Sequence, residues 1–265
     1  MRTILKEMFA MLDLKVQYFQ DSPPEGLPYR EEHFIRRHVK MPLPAGQTAL
    51  VLVDLWDNHF IESWLERAEQ ITREAVVPVL AAAREVGLTI VHAPSPPVAE
   101  QFEELKKHAP PMPSVPPAWP PAEFRSRQGE YAAFRGPRAQ PPGIPPLDRL
   151  GMSPHIEVLE GEFVVATGEQ LHVLLAERGI LHLVYAGFAT NWCILNRDYG
   201  MRAMAGRGYN LVLLREATAG VEFPDTVAKG LATEMAVREV EQQLGFSAAN
   251  ADFLAACAAI KGENT

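Results

Sequence analysis

The sequence predicts an α/β protein with a doubly wound parallel sheet and helices on both faces. Two observations predict this fold. Apolar segments with the length of buried strands recur at residues 48–54, 88–92, 162–166, 182–186 and 210–214. Segments with helical features lie between them, so strands and helices alternate along the chain. Parallel strands joined in this way need right-handed crossovers, which place helices on both faces of the sheet.

The helices are marked by their start and stop signals. After the first strand, residues 63–86 are typical of two helical segments, with Pro78 in the first turn of the second and Gly87 at its end. Thr167 and Gln170 form a capping box that begins a helix at about residue 169, and Gly179 ends it. Further helices are predicted over residues 192–207, over 225–244 and from about 250.

Two segments depart from this pattern. Residues 1–45 form an N-terminal arm in which Leu12, Leu14 and Val16 alternate with polar neighbours, as in an edge strand or a subunit contact. Residues 94–150 form an insertion that contains fifteen of the 23 prolines, so regular structure is disfavoured there. We expect this insertion to act as a lid or a subunit contact within a single domain of residues 1–265.

Composition narrows the class of protein. Hydrophobic residues make up 47% and charged residues 22% of the chain, which excludes a disordered or fibrous protein. The net charge of −8 predicts no nucleic-acid partner. The two cysteines and the lack of a long apolar run favour a cytoplasmic protein with no membrane partner. The arm and the insertion together favour a homo-oligomer.

Candidate site residues lie where the predicted strands end, because ligands of such sheets bind beyond the carboxyl ends of the strands. These positions are Asp54, His92, Thr167 and the segment 187–193. We expect Asp54 and Cys193 to converge at one edge of the sheet. Cys193 would lie in the first turn of a helix, where the helix dipole favours a thiolate, whereas Cys257 has the surroundings of a core residue.

The motifs at these strand ends resemble those of the isochorismatase-like superfamily of cysteine hydrolases. One is an apolar strand that ends in Asp54, and another is G-x-x-T-x-x-C at residues 187–193, followed by R-G-Y-x-L-x-L-L at residues 207–214. The resemblance covers residues 49–60, 80–92 and 171–220. It implies that Cys193 is the nucleophile and Asp54 the general base. It also implies that backbone amides of Thr190 and Cys193 bind the oxyanion, beside a cis peptide bond between Ala189 and Thr190.

The chain departs from the superfamily at the third catalytic residue, a lysine on the strand before the helix at residue 169. Residues 155–168 contain neither lysine nor arginine. One possible alignment places Glu160 at that position, and the other places either Ala166 or Thr167 there. The arginines of the insertion are candidate substitutes for this lysine: Arg125, Arg127, Arg135 and Arg138.

Other residues near the strand ends are candidates for the wall of the substrate pocket: Trp56, His59, Phe60, His92, Thr167, Asn191 and Trp192. Asp57 and His59 have a spacing that can bind metal, but the further histidines used by the nicotinamidases of this superfamily have no counterpart, so we expect neither a metal nor another cofactor.

The residues leave three functions open. The first is hydrolysis of a small amide or related C–N bond by Cys193 and Asp54, with a small-molecule substrate. The second is a catalytically silent ligand-binding protein, because the lysine is missing. The third is a thiol-based sensor that uses Cys193. A cationic nitrogen beside the two residues would favour the first.

Overall fold

The computed structural model describes residues 10–20, 23–103, 121–126, 128–130 and 150–262. An eight-stranded sheet runs through it in the order β2-β1-β8-β7-β6-β3-β4-β5. Neighbouring strands from β8 to β5 are parallel, and β1 is antiparallel to β8 and to β2. The strands are β1 Met11–Gln20, β2 Ile35–Pro44, β3 Thr48–Val53, β4 Thr89–Ala93, β5 Phe163–Val164, β6 His182–Phe188, β7 Asn210–Ala219 and β8 Phe246–Ala248.

Eight α-helices belong to the described residues: α1 Glu62–Ile71, α2 Val77–Glu85, α3 Pro96–Ala99, α4 Ala122–Ser126, α5 Gly168–Arg178, α6 Met201–Gly206, α7 Leu231–Glu239 and α8 Asn250–Gly262. Short π-helical turns at Thr72–Val76, Thr190–Ile194 and Val240–Leu244 adjoin them. Thr167 and Gln170 form the expected capping box, and Gly179 ends α5 in the left-handed conformation.

Two hydrophobic cores lie on opposite faces of the sheet. One buries Trp64 of α1, Leu80 of α2 and Phe253 of α8 against the strands. The other buries Leu174 of α5, together with side chains from α6 and α7. Side chains of β3 alternate between the two cores, because successive strand residues point to opposite faces. The predicted doubly wound fold with helices on both faces is therefore confirmed.

Two predicted helices differ from the structure. The helix predicted over residues 192–207 is interrupted at 197–200, where the N–H of Gly200 bonds to the carbonyl of Arg197 at 2.8 Å in a turn. The helix predicted from residue 225 begins at Leu231, because Gly230 takes a positive φ of 64°. The short strand β8 was not predicted.

The N-terminal arm adds two strands to the sheet. β1 pairs with β2 along its whole length and meets β8 at Gln17 and Ser247. The buried Glu241 carboxylate holds this hairpin, because it accepts hydrogen bonds from Gln17 Nε2 at 2.7 Å and Arg36 Nε at 3.0 Å. The insertion is described at residues 94–103, 121–126, 128–130 and 150, so its predicted role as a lid falls outside the described residues.

Candidate active site

Asp54 follows the last residue of β3, at the carboxyl edge of the sheet. Its side chain is fully buried, and its φ of 45° lies in the left-handed region, which side chains larger than glycine rarely adopt. The N–H of Asp54 donates to the carbonyl of Ala93 at 3.2 Å, so the neighbouring strand β4 fixes the backbone here. Strained conformations of this kind cluster at functional sites.

Arg197 forms an ion pair with the Asp54 carboxylate. Its Nε and Nη2 atoms donate to the same oxygen, Oδ2, at 3.2 and 3.1 Å. The other oxygen, Oδ1, is buried and has no formed hydrogen bond within the described part of the chain. The structure therefore places a cationic side chain on the candidate base, and it comes from a residue that the sequence analysis did not single out.

The pKa of Asp54 reflects opposing effects. Burial raises it, and this effect is the largest. The positive charge of Arg197 lowers it, and so do the nearby thiol of Cys193 and the backbone N–H of Ser95. A buried carboxylate held by one arginine can accept a proton, which is the property a general base requires.

Cys193 lies in the π-helical turn Thr190–Ile194 that follows β6. Its thiol interacts with the Asp54 carboxylate, so the structure brings these two residues together at the carboxyl edge. Burial raises the thiol pKa to about 12, and the negative charge of Asp54 adds to this shift. The prediction that a helix N-terminus favours a thiolate at Cys193 is therefore wrong. Burial and the adjacent carboxylate outweigh the dipole of a short turn.

Ala189 and Thr190 lie between β6 and Cys193. The cis peptide bond joins Phe188 to Ala189, one bond before the expected position, because β6 ends at Phe188 and the turn begins directly after it. The N–H of Ala189 points at the Cys193 sulfur and lowers its pKa slightly. The buried Thr190 hydroxyl lies 2.8 Å from that of Thr218.

Aromatic side chains form a cluster that includes several of the pocket candidates. The His59 ring stacks on Phe60 at 4.4 Å and on Trp56 at 5.6 Å, measured between centroids, and Trp192 lies 6.3 Å from it. Burial lowers the pKa of His59 to about 4, so the ring is neutral at pH 7. Its Nδ1 accepts the N–H of Ile61 at 3.1 Å, which leaves the proton on Nε2.

Three pocket candidates have other contacts. His92 is buried, and its Nε2 lies 2.7 Å from Glu162, which also binds Arg84. Thr167 caps α5. Asn191 binds Val221 through its amide and lines a groove of about 610 Å³ next to α7. His92 and Thr167 therefore serve contacts within the fold, and Asn191 faces a groove whose lining includes neither Asp54 nor Cys193.

The described residues hold no group of three or more His, Cys, Asp or Glu side chains that could bind a metal ion. Asp57 instead accepts the N–H of Gly151 through Oδ1 at 2.7 Å. Within the described part of the chain, no helix has both the length and the apolar character needed to cross a bilayer.

Four arginines of the insertion are the predicted substitutes for the lysine. Arg127, Arg135 and Arg138 lie outside the described residues, as does the side chain of Arg125. Arg197 is four positions after Cys193, and residues at this spacing share one face of a helix. That spacing was the signal in the sequence that could have identified it.

Comparison with known proteins identifies the family. The isochorismatase domain model matches residues 48–243, about three quarters of the chain. The chain belongs to the isochorismatase family. The resemblance seen in the motifs is thereby confirmed, and the matched region contains Asp54, Cys193 and Arg197. Among curated protein sequences there is no significant match.

Several solved structures are similar to this chain. A cysteine hydrolase from Pseudomonas syringae is 14% identical over 84% of this chain and 97% of that protein, with a TM-score of 0.53. An isochorismatase family protein from Burkholderia thailandensis is 20% identical over 80% of this chain and 96% of its own, with a TM-score of 0.47. An isochorismatase from Pseudomonas putida is also 20% identical, over 80% and 93%, with a TM-score of 0.47. At this identity the likeness concerns the fold alone.

Proposed function

We propose that this isochorismatase family member hydrolyses a small amide or a related C–N bond, with Cys193 as nucleophile and Asp54 as general base. The observation that carries the proposal is the interaction between the Cys193 thiol and the buried Asp54 carboxylate. A neutral thiol beside a carboxylate is a nucleophile and base pair, because the thiol proton can leave as the sulfur attacks.

The reaction has two halves. In the first, Sγ of Cys193 bonds to the carbonyl carbon while its proton moves to Asp54. The C–N bond then breaks, and Asp54 returns the proton to the leaving nitrogen, which gives an amine and a thioester. In the second, Asp54 takes a proton from water, whose oxygen attacks the thioester. The C–S bond breaks, the acid is released, and Sγ regains the proton.

The raised thiol pKa fits this sequence of steps. A pKa of about 12 keeps Cys193 protonated until a carbonyl is in place, so the proton transfer accompanies the attack. We propose that the backbone N–H groups of Thr190 and Cys193 stabilise the oxyanion. The bond between the Thr190 and Thr218 hydroxyls supports this, because it fixes the turn. We also propose that Trp56, His59 and Trp192 contact the substrate.

The structure weighs against the two other functions. A thiol-based sensor needs a thiolate near neutral pH, whereas burial and Asp54 keep Cys193 protonated. The silent ligand-binding alternative was based on a missing cation, and Arg197 provides a cation at Asp54.

Ammonia release from a panel of small primary amides, aliphatic, aromatic and N-carbamoyl, tests the proposal. We expect turnover by the natural protein and a loss of about a thousandfold or more in Cys193→Ala and Asp54→Asn. Cys257→Ala is the matched control, because Cys257 lies on α8 and its side chain is buried in the core. Equal rates in the natural protein and in Cys193→Ala would refute the nucleophile.

We further propose a cytoplasmic homo-oligomer. The groove beside α7 carries the exposed apolar side chains of Phe223 and Met235, which are 62% and 63% exposed. Exposed apolar clusters of this kind often mark contacts between subunits. Light scattering after size exclusion should give a multiple of the 29.4 kDa chain mass, and Met235→Glu should reduce it.

A further inference from the structure

We propose that Arg197 is a positioning residue for Asp54, and that it supplies from the nucleophile's own segment the positive charge that a lysine on another strand supplies in related hydrolases. The inference rests on the proposed function, since it assigns Asp54 the role of base. Its ground is the contact of Nε and Nη2 with Oδ2 of a fully buried carboxylate.

The geometry of the pair directs the carboxylate. Both guanidinium donors meet at Oδ2, and Oδ1 is buried without a formed hydrogen bond within the described residues. The Cys193 thiol and the backbone N–H of Ser95 also act on this carboxylate, so the thiol lies beside the group that Arg197 holds. Oδ1 is therefore the atom that accepts the proton, and Arg197 holds the carboxylate so that this atom stays available.

The backbone next to Arg197 packs against the end of the strand on which the superfamily carries its lysine. The sequence alignment anchored on β5 places Ala166 or Thr167 at the lysine position. The next residue, Gly168, lies against Asp198: its N–H donates to the Asp198 carboxylate at 2.7 Å. A Cβ on Gly168 would come within 2.0 Å of the Asp198 carbonyl oxygen. The turn that carries Arg197 is thus packed directly beside the end of that strand.

Contacts on several sides fix this turn. The Tyr199 hydroxyl donates to the carbonyl of Pro94 at 3.1 Å, and the buried Tyr185 hydroxyl donates to the carbonyl of Tyr199 at 2.8 Å. The N–H of Arg197 bonds to the carbonyl of Cys193 at 3.1 Å. Cys193 and Arg197 are therefore joined by one hydrogen-bonded turn of backbone, and the residues that follow Arg197 are held by Tyr185 and Pro94.

The charge of Arg197 is permanent at any pH the protein meets. Burial alone lowers its pKa, but the Asp54 carboxylate raises it above its ordinary value. The other titratable groups that act on this pair are Cys193 and Tyr199, and both are kept neutral by raised pKa values. Arg197 is thus the cation that opposes the effect of burial on Asp54 among the described residues.

The test is a direct titration of Asp54 by carbon-13 NMR of aspartate-labelled protein, with the resonance assigned by its loss in Asp54→Asn. In Arg197→Gln we expect the Asp54 pKa to be about one to three pH units higher than in the natural protein. Arg197→Lys should restore part of the difference. Arg202→Gln is the matched control. It removes the same charge from a residue five positions further along the chain, whose ion pair is with Glu239.

An Asp54 titration that is the same in Arg197→Gln and in the natural protein would overturn the inference, and so would an equal shift in Arg202→Gln. If Arg197→Gln fails to fold, Arg197→Met takes its place as the neutral variant. The Asp54 pKa in Arg197→Lys must then lie closer to the value in the natural protein than the Asp54 pKa in the neutral variant does. The titration needs no substrate. Failure of the amide panel would therefore count against the proposed function alone, and an unchanged titration against Arg197 alone.

Discussion

Arg197 and Asp54 form an ion pair in which two guanidinium nitrogens share one carboxylate oxygen, at 3.2 and 3.1 Å. The two residues are 143 positions apart in sequence, and their side chains differ in exposure: Asp54 is fully buried, whereas 31% of the Arg197 side chain is exposed. A buried charge is tolerated only when it is paired, so this contact determines the ionisation of the site.

The first prediction concerns the Cys193 thiol. Because burial and the Asp54 charge raise its pKa to about 12, the natural protein should show no thiolate absorbance from Cys193 below about pH 10. Removing the charge in Asp54→Asn should shift the onset of thiolate absorbance to lower pH, although burial still raises the thiol pKa. The difference spectrum against Cys193→Ser isolates the signal from that of Cys257. Identical pH profiles for the natural protein and Asp54→Asn would show that the carboxylate does not act on the thiol.

The second prediction concerns the buried carboxylate of Glu162. Burial alone would raise its pKa, but hydrogen bonds from His92 and Arg84 hold it at about 2. A depressed pKa stabilises the fold above the unfolded value near 4.5, and this stability is lost as the pH falls towards 2.

Glu162→Gln should therefore lower the free energy of unfolding by about 3 kcal/mol at pH 7, and by progressively less between pH 4.5 and 2. Urea denaturation across this pH range measures the difference. Glu160→Gln, two positions away and exposed, is the control and should change little. A Glu162→Gln effect that is constant with pH would contradict the assignment.

The third prediction concerns the close approach of β6 to β3. Gly187 has a φ of 112°, and a Cβ there would lie 2.0 Å from the carbonyl oxygen of Val53. Gly187→Ala should destabilise the fold by about 3 kcal/mol or more. Gly208→Ala separates the strain of a positive φ from the clash with Val53, since Gly208 has a φ of 90° with open space around it. It should cost about 1 kcal/mol in thermal denaturation, and equal costs at both positions would exclude the clash with Val53.

The fourth prediction concerns the anchor of the N-terminal hairpin. Arg36→Met leaves the buried Glu241 carboxylate without its cation, at a cost of about 3 kcal/mol. Hydrogen exchange should then speed up in β1 and β2 while β3 and β4 remain protected. Arg37→Met is the matched control, because Arg37 is exposed and bonds only to Gln20 among the residues described. Uniform acceleration across the sheet would mean that the hairpin does not unfold separately.

The sequence predicts the central strands well because each is an apolar run between turn residues. It misses β8, since three residues with Ser247 in the middle have no such pattern. It predicts a continuous helix through residue 200, because the contact of Asp198 with Gly168 that stabilises the turn joins residues 30 positions apart. Local propensity does not include such contacts.

Part of the candidate site can also be predicted from the sequence. Asp54 and Cys193 stand out by their positions at strand ends, and in the structure the carboxylate acts on the thiol. The thiol pKa was predicted in the wrong direction, because burial and the distance to a charge are properties of the folded chain. The sequence does not single out Arg197, because the resemblance places the cation on the strand before α5, whereas Arg197 lies about one helical turn after Cys193.

The place of β1 in the sheet has a consequence for biosynthesis. β1 pairs with β2 on one side and with β8 on the other, yet Gln20 precedes Phe246 by 226 positions. During translation the hairpin leaves the ribosome long before its partner strand exists, so one of its edges stays open until synthesis is almost complete. Strand β2 of this hairpin is positively charged through Arg36, Arg37 and Lys40. Charged strand edges resist pairing with other chains. A nascent chain truncated before β8 should therefore display a hairpin that proteases can reach, although the parallel strands β3, β4 and β6 are already complete.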